Sequence, residues 1–271
     1  MQARMLRCGC VLVWAAAACA AGGQMASRRL EHYRLWAGPF RVPSVHDNLS
    51  GIAWNPATKS LFCILNGPET VVEITPDGKL KSRFTLRQCH DTEGIAVVGP
   101  GRLAVIEEAR RKLRIVPIPK RGPARNTRGS EEALLIERSV TGNNGLEGVA
   151  YDPDGRRFFI CREKHPKQLY QVALPPQGLP LAKAVVTKLW TFEQRTINIG
   201  DASGLHYDRA TGHLIVVSHE SRCVLEVTLE GRELGRLRLR GLPQAEGVTF
   251  DDAGTLYVVS EPNLLALYRI R

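Results

Sequence analysis

The 271-residue chain lacks the short motifs that identify many cofactor-dependent enzymes. It has no phosphate-binding loop and no dinucleotide-binding glycine fingerprint. Its cysteines and histidines do not show the spacing of a zinc or haem site. These absences argue against nucleotide-dependent and haem-dependent chemistry, and against zinc-dependent chemistry held by histidine and cysteine.

Aromatic residues are also scarce, at 6%, although the chain is basic, with a net charge of +10. Such a charge raises the question of nucleic-acid binding. The densest basic run, from Arg110 to Arg128, contains prolines and glycine but no interleaved aromatic residues, which favours a solvated loop. We therefore expect a monomer that does not bind nucleic acid.

No apolar run is long enough to span a bilayer comfortably, but the N-terminus has the pattern of an export signal over residues 1–20. Arg4 and Arg7 precede an uncharged stretch from Cys8 to Gly23. Two processing routes remain open: ordinary cleavage around Ala18-Cys19-Ala20, or lipidation of Cys19 within a permissive lipobox. Both predict a periplasmic or envelope location, and lipidated Cys19 would tether the protein to a membrane.

Four cysteines lie beyond this signal, and their even number would permit disulfides in an oxidising compartment. The pattern assigns no pairing. Cys63 and Cys161 occupy matching strand positions in non-adjacent repeats and are predicted to be buried free thiols.

A short glycine step recurs five times in the sequence, in the form Leu146-Glu147-Gly148-Val149. Successive glycines are separated by 43, 54, 56 and 43 residues, which is the period of a four-stranded propeller blade. The five glycines are Gly51, Gly94, Gly148, Gly204 and Gly247.

This period predicts one all-β domain over residues 30–271, a five-bladed β-propeller, with six blades as the alternative. The last repeat has only three strands before Arg271. We expect the segment around Tyr33 to supply its fourth strand, because closing the ring removes open sheet edges.

Two recurring polar positions are predicted to form concentric rings at one mouth of the channel. The position before each glycine carries Ser50, Glu93, Glu147, Ser203 and Glu246. A position about fifteen residues after each glycine carries Asn66, Glu108, Glu163, Glu220 and Glu261.

Carboxylates roughly 6 Å apart at an effective dielectric of about 20 repel by nearly 3 kcal/mol per pair. Such rings must bind a cation, hold protons or pair with basic residues. Oxygen-only ligands suit Ca²⁺, so the glutamates and Asn66 are candidate metal ligands, and Ser50, Ser203 and His219 are candidate ligand-binding residues. The alternative is salt bridging, since basic residues stand within two positions of the outer acids: Arg110, Arg162, Lys164 and Arg222.

Several strings in the chain resemble the SdiA-regulated, YjiK-type family of bacterial envelope proteins. They include Ser218-His219-Glu220-Ser221-Arg222 and Val259-Ser260-Glu261-Pro262-Asn263. This resemblance implies an envelope β-propeller with no established enzymatic activity, distantly similar to propellers that hold calcium in the channel. The N-terminus departs from the YjiK pattern, which begins with a longer hydrophobic anchor.

Two functions follow as hypotheses. The first is an exported binding protein whose acidic channel mouth holds calcium and, with it, a small polar ligand or a partner segment. The second is a metal-dependent hydrolase acting on a phosphate ester or lactone. Ser218, His219 and Glu220 do not form a catalytic relay, because consecutive strand residues point to alternate faces.

Overall fold

The computed structural model describes residues 26–43, 45–119, 132–137 and 145–270. Over these ranges the chain forms five separate four-stranded antiparallel sheets and two short 3₁₀ helices, Leu30–His32 and Leu181–Lys183. The prediction of a five-bladed β-propeller is confirmed, and the six-bladed alternative is wrong, because the described residues form five sheets that close into one ring.

Each of the first four blades is a meander, in which the first strand lies innermost and the fourth outermost. Blade 1 contains β2 (Leu49–Asn55), β3 (Ser60–Leu65), β4 (Thr70–Ile74) and β5 (Leu80–Thr85). Blade 2 contains β6 (Thr92–Val97), β7 (Arg102–Glu107), β8 (Lys112–Pro117) and β9 (Glu132–Leu135). Blade 3 contains β10 (Leu146–Asp152), β11 (Arg157–Arg162), β12 (Gln168–Ala173) and β13 (Val185–Thr191). Blade 4 contains β14 (Gly204–Asp208), β15 (His213–Ser218), β16 (Cys223–Val227) and β17 (Glu233–Arg238).

Blade 5 combines both ends of the domain, as the three-stranded last repeat predicts. Its strands are β18 (Gln244–Phe250), β19 (Leu256–Glu261), β20 (Leu264–Ile270) and the N-terminal β1 (Tyr33–Arg41). Tyr33 lies opposite Ile270, and Arg41 lies opposite Leu264. The N-terminal strand therefore closes the ring and covers the edge that β20 would otherwise expose.

The apolar core consists of five clusters, each built from side chains of two neighbouring blades. At the centre, the glycine steps allow the innermost strands to touch. A Cβ on Gly94 would lie 2.3 Å from the Glu147 carbonyl oxygen, and one on Gly204 would lie 2.3 Å from the Glu246 carbonyl oxygen. Glycine is required there because the next blade leaves no room for a side chain.

The meander gives the propeller two faces. Each innermost strand begins at the channel mouth, so the loops that precede it, and those that join second to third strands, lie at the mouth. The turns that join first to second and third to fourth strands form the opposite face, which we call the basal face. The segment entering β1 also lies on the basal face, because Tyr33 pairs with the end of β20.

Three further predictions concern the cysteines, the basic run and the N-terminal signal. Cys63 and Cys161 are buried free thiols, as expected, and Cys89 and Cys223 are buried and free as well. The basic run from Arg110 is not a loop throughout, because Lys112–Pro117 forms β8. The export signal and Cys19 lie outside the described residues. Within those residues, no helix has the length and apolar character needed to cross a membrane.

Candidate functional site

The strand register shifts at the glycine steps, where the inner polar ring was predicted. In blade 2, Thr92 pairs with Glu107 and Ile95 with Val105, which leaves Glu93 and Gly94 in an irregularity. Similar shifts occur at the start of the inner strands of blades 1, 3 and 5. A β-bulge at a rim re-aims the local side chains, and here the shift coincides with Glu93, Glu147 and Glu246.

Three carboxylates converge at the mouth between blades 1 and 2. Asp91, Glu93 and Glu108 each offer an oxygen, and these oxygens lie within 4.8 Å of one another. We call this group the Asp91 cluster. Asn66 Nδ2 donates to Asp91 Oδ1 at 3.0 Å and to Glu93 Oε1 at 2.7 Å. The Asp91 cluster and its donor Asn66 thus bring together one residue of the predicted inner ring, Glu93, and two of the outer ring, Asn66 and Glu108.

Backbone contacts hold the Asp91 cluster in place. The Glu108 N–H donates to the Asp91 carbonyl oxygen at 2.8 Å, and the Ala109 N–H donates to Asp91 Oδ2 at 3.1 Å. The Gly145 N–H donates to Glu108 Oε1 at 3.0 Å. A Cβ on Gly145 would lie 2.1 Å from the Glu108 side chain, so this glycine leaves the space that the carboxylate occupies.

Burial and mutual repulsion make the inner carboxylates hard to ionise. Burial raises the pKa of Glu93 to about 8, although hydrogen bonds from Ser50 and Asn66 act in the opposite direction. Burial also raises the pKa of Glu147 well above its usual range, and the charges of Glu93 and Glu108 add to this rise. The pKa of Glu108 is raised by burial and by Asp91. The charge of Arg111, which pairs with Glu137, acts in the opposite direction and lowers the pKa of Glu108.

The outer ring is different at blades 3 and 4, where one lysine forms salt bridges with two of its acids. Lys164 Nζ lies 2.9 Å from Glu163 Oε1 and 2.9 Å from Glu220 Oε1. Hydrogen bonding to both acids raises the pKa of Lys164, and the lysine lowers the pKa of Glu220. Other expected partners are engaged elsewhere: Arg110 pairs with Glu107, and Arg162 pairs with Glu137.

A second polar group lies on the side of the mouth formed by blades 4 and 5. His219 Nδ1 lies 3.6 Å from Asp201 Oδ2 and 3.9 Å from Glu246 Oε1. Asp201 is fully buried; its Oδ1 accepts hydrogen bonds from Ser218 Oγ at 2.5 Å and from the Glu220 N–H at 3.1 Å. Its Oδ2 has no hydrogen-bond partner. Burial raises the pKa of Glu246 to about 8 and also raises that of Glu261, which is one of the charges acting on Glu246.

The two serines of the inner ring have unlike surroundings. Ser50 hydrogen-bonds with Glu93 and so belongs beside the Asp91 cluster. Ser203 Oγ donates to the Ala245 carbonyl oxygen at 2.8 Å, which ties blade 4 to blade 5. The structure therefore brings Ser50, Asn66, Glu93 and Glu108 together, and separates them from Glu163 and Glu220.

Asp91 and Asp201 were not singled out from the sequence, although a repeat signal marks them. Each stands three residues before the glycine of its step, Gly94 or Gly204. The corresponding residues in the other blades are Asn48, Gly145 and Gln244. In four blades the residue at this position accepts a hydrogen bond from the backbone N–H of the outer-ring residue. The acceptor is the backbone carbonyl oxygen in three blades and Asp201 Oδ1 in the fourth. The pairs are Asn48 with Asn66, Asp91 with Glu108, Gly145 with Glu163, and Asp201 with Glu220. This third recurring position joins the two predicted rings.

Several solved propellers share the fold at low sequence identity. A luciferin-regenerating enzyme is 14% identical, with 87% of this chain and 94% of that chain covered and a TM-score of 0.56. Regucalcin from Agrobacterium tumefaciens, a calcium-binding protein, is 13% identical, with 86% and 94% covered and a TM-score of 0.55. A gluconolactonase from Xanthomonas campestris is 15% identical, with 92% and 94% covered and a TM-score of 0.54.

Family membership rests on a match to a family model and not on these distant folds. The model of the SdiA-regulated family matches residues 25–271, which include all five blades and both polar groups at the channel mouth. The resemblance expected from strings such as Ser218 to Arg222 and Val259 to Asn263 is confirmed. The chain belongs to the SdiA-regulated family.

Proposed function

We propose that this protein is an exported propeller that binds Ca²⁺ at its channel mouth and uses the bound ion to hold a small polar or anionic ligand. The observation that carries the proposal is the Asp91 cluster, in which three carboxylates converge and the charge of one described arginine, Arg111, acts on Glu108. Ordinary salt bridging satisfies Glu163 and Glu220.

The donor set fits a hard cation. Asp91, Glu93 and Glu108 supply only oxygen, and Asn66 is close enough to contribute its amide oxygen if the amide rotates. Calcium takes six to eight oxygens at flexible geometry, so positions remain for water or for oxygens of a ligand. The calcium-binding regucalcin and the gluconolactonase share the fold, which supports a propeller channel as a place for this chemistry.

Bound calcium would supply positive charge at a mouth that is otherwise acidic. The carboxylates of Glu147, Glu246 and Glu261 surround the remaining opening and repel anions when ionised. Ligand binding is then dependent on the ion, and the same opening suits the polar oxygens of a small molecule or a short partner segment.

A metal-dependent hydrolase for a phosphate ester or lactone is a second candidate, and one specific contact favours it. His219 lies beside the buried carboxylate of Asp201, whose Oδ2 has no other partner. A carboxylate in that position can orient an imidazole, so His219 is the candidate general base of such a reaction. A bound calcium ion would supply polarisation of a carbonyl or phosphoryl oxygen.

Thermal unfolding with and without calcium tests the binding function. A ligand present at about 100 times its Kd stabilises the folded state by about 2.7 kcal/mol, or roughly 5–10 °C in Tm for a domain of this size. Chelation should lower the Tm of the mature protein, and Glu93→Gln should abolish the calcium response. Glu220→Gln is the matched control, because Glu220 is paired with Lys164. A wild-type Tm that calcium does not change would overturn the proposal.

A further inference from the structure

The basal face carries most of the large hydrophobic side chains that are exposed in the described part of the chain. Seven such side chains are exposed, and four of them lie on this face. They are Leu80 (50% exposed), Leu179 (53%), Val185 (63%) and Ile270 (56%). Each lies at the basal end of a third or fourth strand or in the loop between them, and none belongs to the channel site.

A depression of about 440 Å³ opens on the same face between blades 2 and 3. Its floor is apolar, with Val98, Ile115 and Phe158, and the loop that contains Leu179 forms one wall. Two exposed arginines, Arg102 and Arg156, stand among the described lining residues, none of which is acidic. Neither arginine forms an ion pair with a described acidic residue, and Arg156 Nη2 instead donates to the Pro175 carbonyl oxygen at 2.9 Å.

The N-terminal segment joins the domain at this face as well. Arg28 binds Asp208 through Nε at 2.5 Å and Nη2 at 2.7 Å, and its backbone N–H donates to Glu226. Asp208 and Glu226 are buried near the basal ends of β14 and β16. Only seven residues lie between Cys19 and Ser27, and the eight peptide steps that join them span at most about 28 Å when fully extended.

From these observations we infer that the basal face docks on an anionic phospholipid bilayer, with the channel mouth turned away from the membrane. Apolar side chains such as Leu179 enter the interface, while Arg102 and Arg156 meet lipid phosphates. A lipid surface suits this face better than a protein partner, because the short connection to the N-terminal signal keeps the face close to the membrane whenever Cys19 is lipidated. The inference does not depend on calcium at the mouth.

Vesicle cosedimentation tests the docking face without the tether. The exported chain carrying Cys19→Ser is mixed with vesicles of phosphatidylglycerol and phosphatidylcholine, or of phosphatidylcholine alone. We expect binding to the anionic vesicles and a loss of roughly tenfold or more in affinity for the double variant Arg102→Glu/Arg156→Glu. Leu179→Ser, a change in an exposed loop that should not affect folding, should also weaken binding.

The matched control changes charge by the same amount on the opposite face. Arg238 and Arg240 are exposed at the mouth rim of blade 4 and line another shallow depression there. Arg238→Glu/Arg240→Glu should leave vesicle binding within about twofold of the parent. Equal losses in the two double variants would show attraction to the net positive charge alone and overturn the assignment, as would failure of the parent to bind anionic vesicles.

Discussion

The side-chain amide of Asn66 donates to both Asp91 and Glu93, at 3.0 and 2.7 Å. This contact joins blade 1 to blade 2 at the channel mouth and compensates two carboxylates. Under the proposed calcium binding, the same side chain would rotate and offer its oxygen to the ion. Asn66 is therefore the residue at which the stability of the metal-free and metal-loaded forms should differ most.

Replacing Asn66 with alanine should destabilise the metal-free protein by about 1–3 kcal/mol, because two partly buried carboxylates lose their donor. Saturating calcium should recover part of that loss, since the ion takes over the compensation. Urea unfolding of parent and variant, with chelator and with calcium, measures both values. Equal destabilisation in the two conditions would contradict a cation at this place.

Calcium binding should release protons near neutral pH. The carboxyl of Glu93 has a pKa of about 8 in the folded protein, so at pH 7 it is mostly protonated, whereas calcium binds the ionised form. Calcium affinity should accordingly increase as pH rises towards 8. Calorimetric titrations at pH 7 in buffers of different ionisation enthalpy count the released protons, and a count of zero would argue against Glu93 as a ligand.

The raised pKa of Glu93 also makes the stability of the metal-free protein depend on pH. A carboxyl whose pKa rises on folding contributes stability at low pH, below its unfolded pKa near 4.3, and loses that contribution as pH rises through about 8. The chelated protein should lose this contribution between pH 5 and 8, and calcium should reverse the trend. Denaturant midpoints across this range, with Glu93→Gln as the comparison, isolate the contribution of one residue.

His206 should make the protein sensitive to acid. Burial lowers its pKa to about 4, so the folded state holds the neutral imidazole. The resulting stability is present above pH 6.5 and is lost as pH falls from 6.5 through 4, up to about 3 kcal/mol. His206→Gln should flatten that part of the stability profile. His32→Gln is the matched control, because the His32 side chain is 55% exposed.

Two bidentate arginine–aspartate pairs on the basal face should differ greatly in their importance. Asp208 is only 4% exposed, so Arg28→Ala strands a buried carboxylate and should cost about 3–5 kcal/mol. In the second pair, Arg209 and Asp154 are 69% and 62% exposed, and Arg209→Ala should cost at most about 1 kcal/mol. Chemical denaturation of both variants gives the comparison. Similar losses would mean that the Arg28–Asp208 ion pair does not stabilise the propeller.

The fold was predictable because every blade repeats one pattern. Strands such as β11 (Arg157–Arg162) and β12 (Gln168–Ala173) are mostly buried and repeat in each blade, so the sequence marks them clearly. The outermost strands were harder to recognise, since they face solvent and lack apolar alternation. In Leu80–Thr85 only Phe84 is buried, so its sequence does not distinguish a strand from a loop.

The site was only partly accessible to sequence reasoning. The recurrent Glu93 and Glu108 indicated an acidic mouth, but their grouping depends on contacts between blades. Asp91 completes the cluster from a position before the strand, and Lys164 reaches Glu220 across 56 residues of sequence. A repeat gives the height of each residue on the channel, whereas the neighbours of its side chain follow from packing that repetition does not encode.

Equilibrium calcium binding to the purified mature protein tests the central claim most directly. Direct titration should give about one ion per chain for the parent and for Glu220→Gln, whose carboxylate is already paired with Lys164. Asp91→Asn, which keeps the shape of the side chain and removes its charge, should lose the ion while the far-UV spectrum of the propeller is retained. A parent protein that binds no calcium, or an Asp91→Asn variant that binds it as the parent does, would contradict the assignment of this channel mouth as a calcium site.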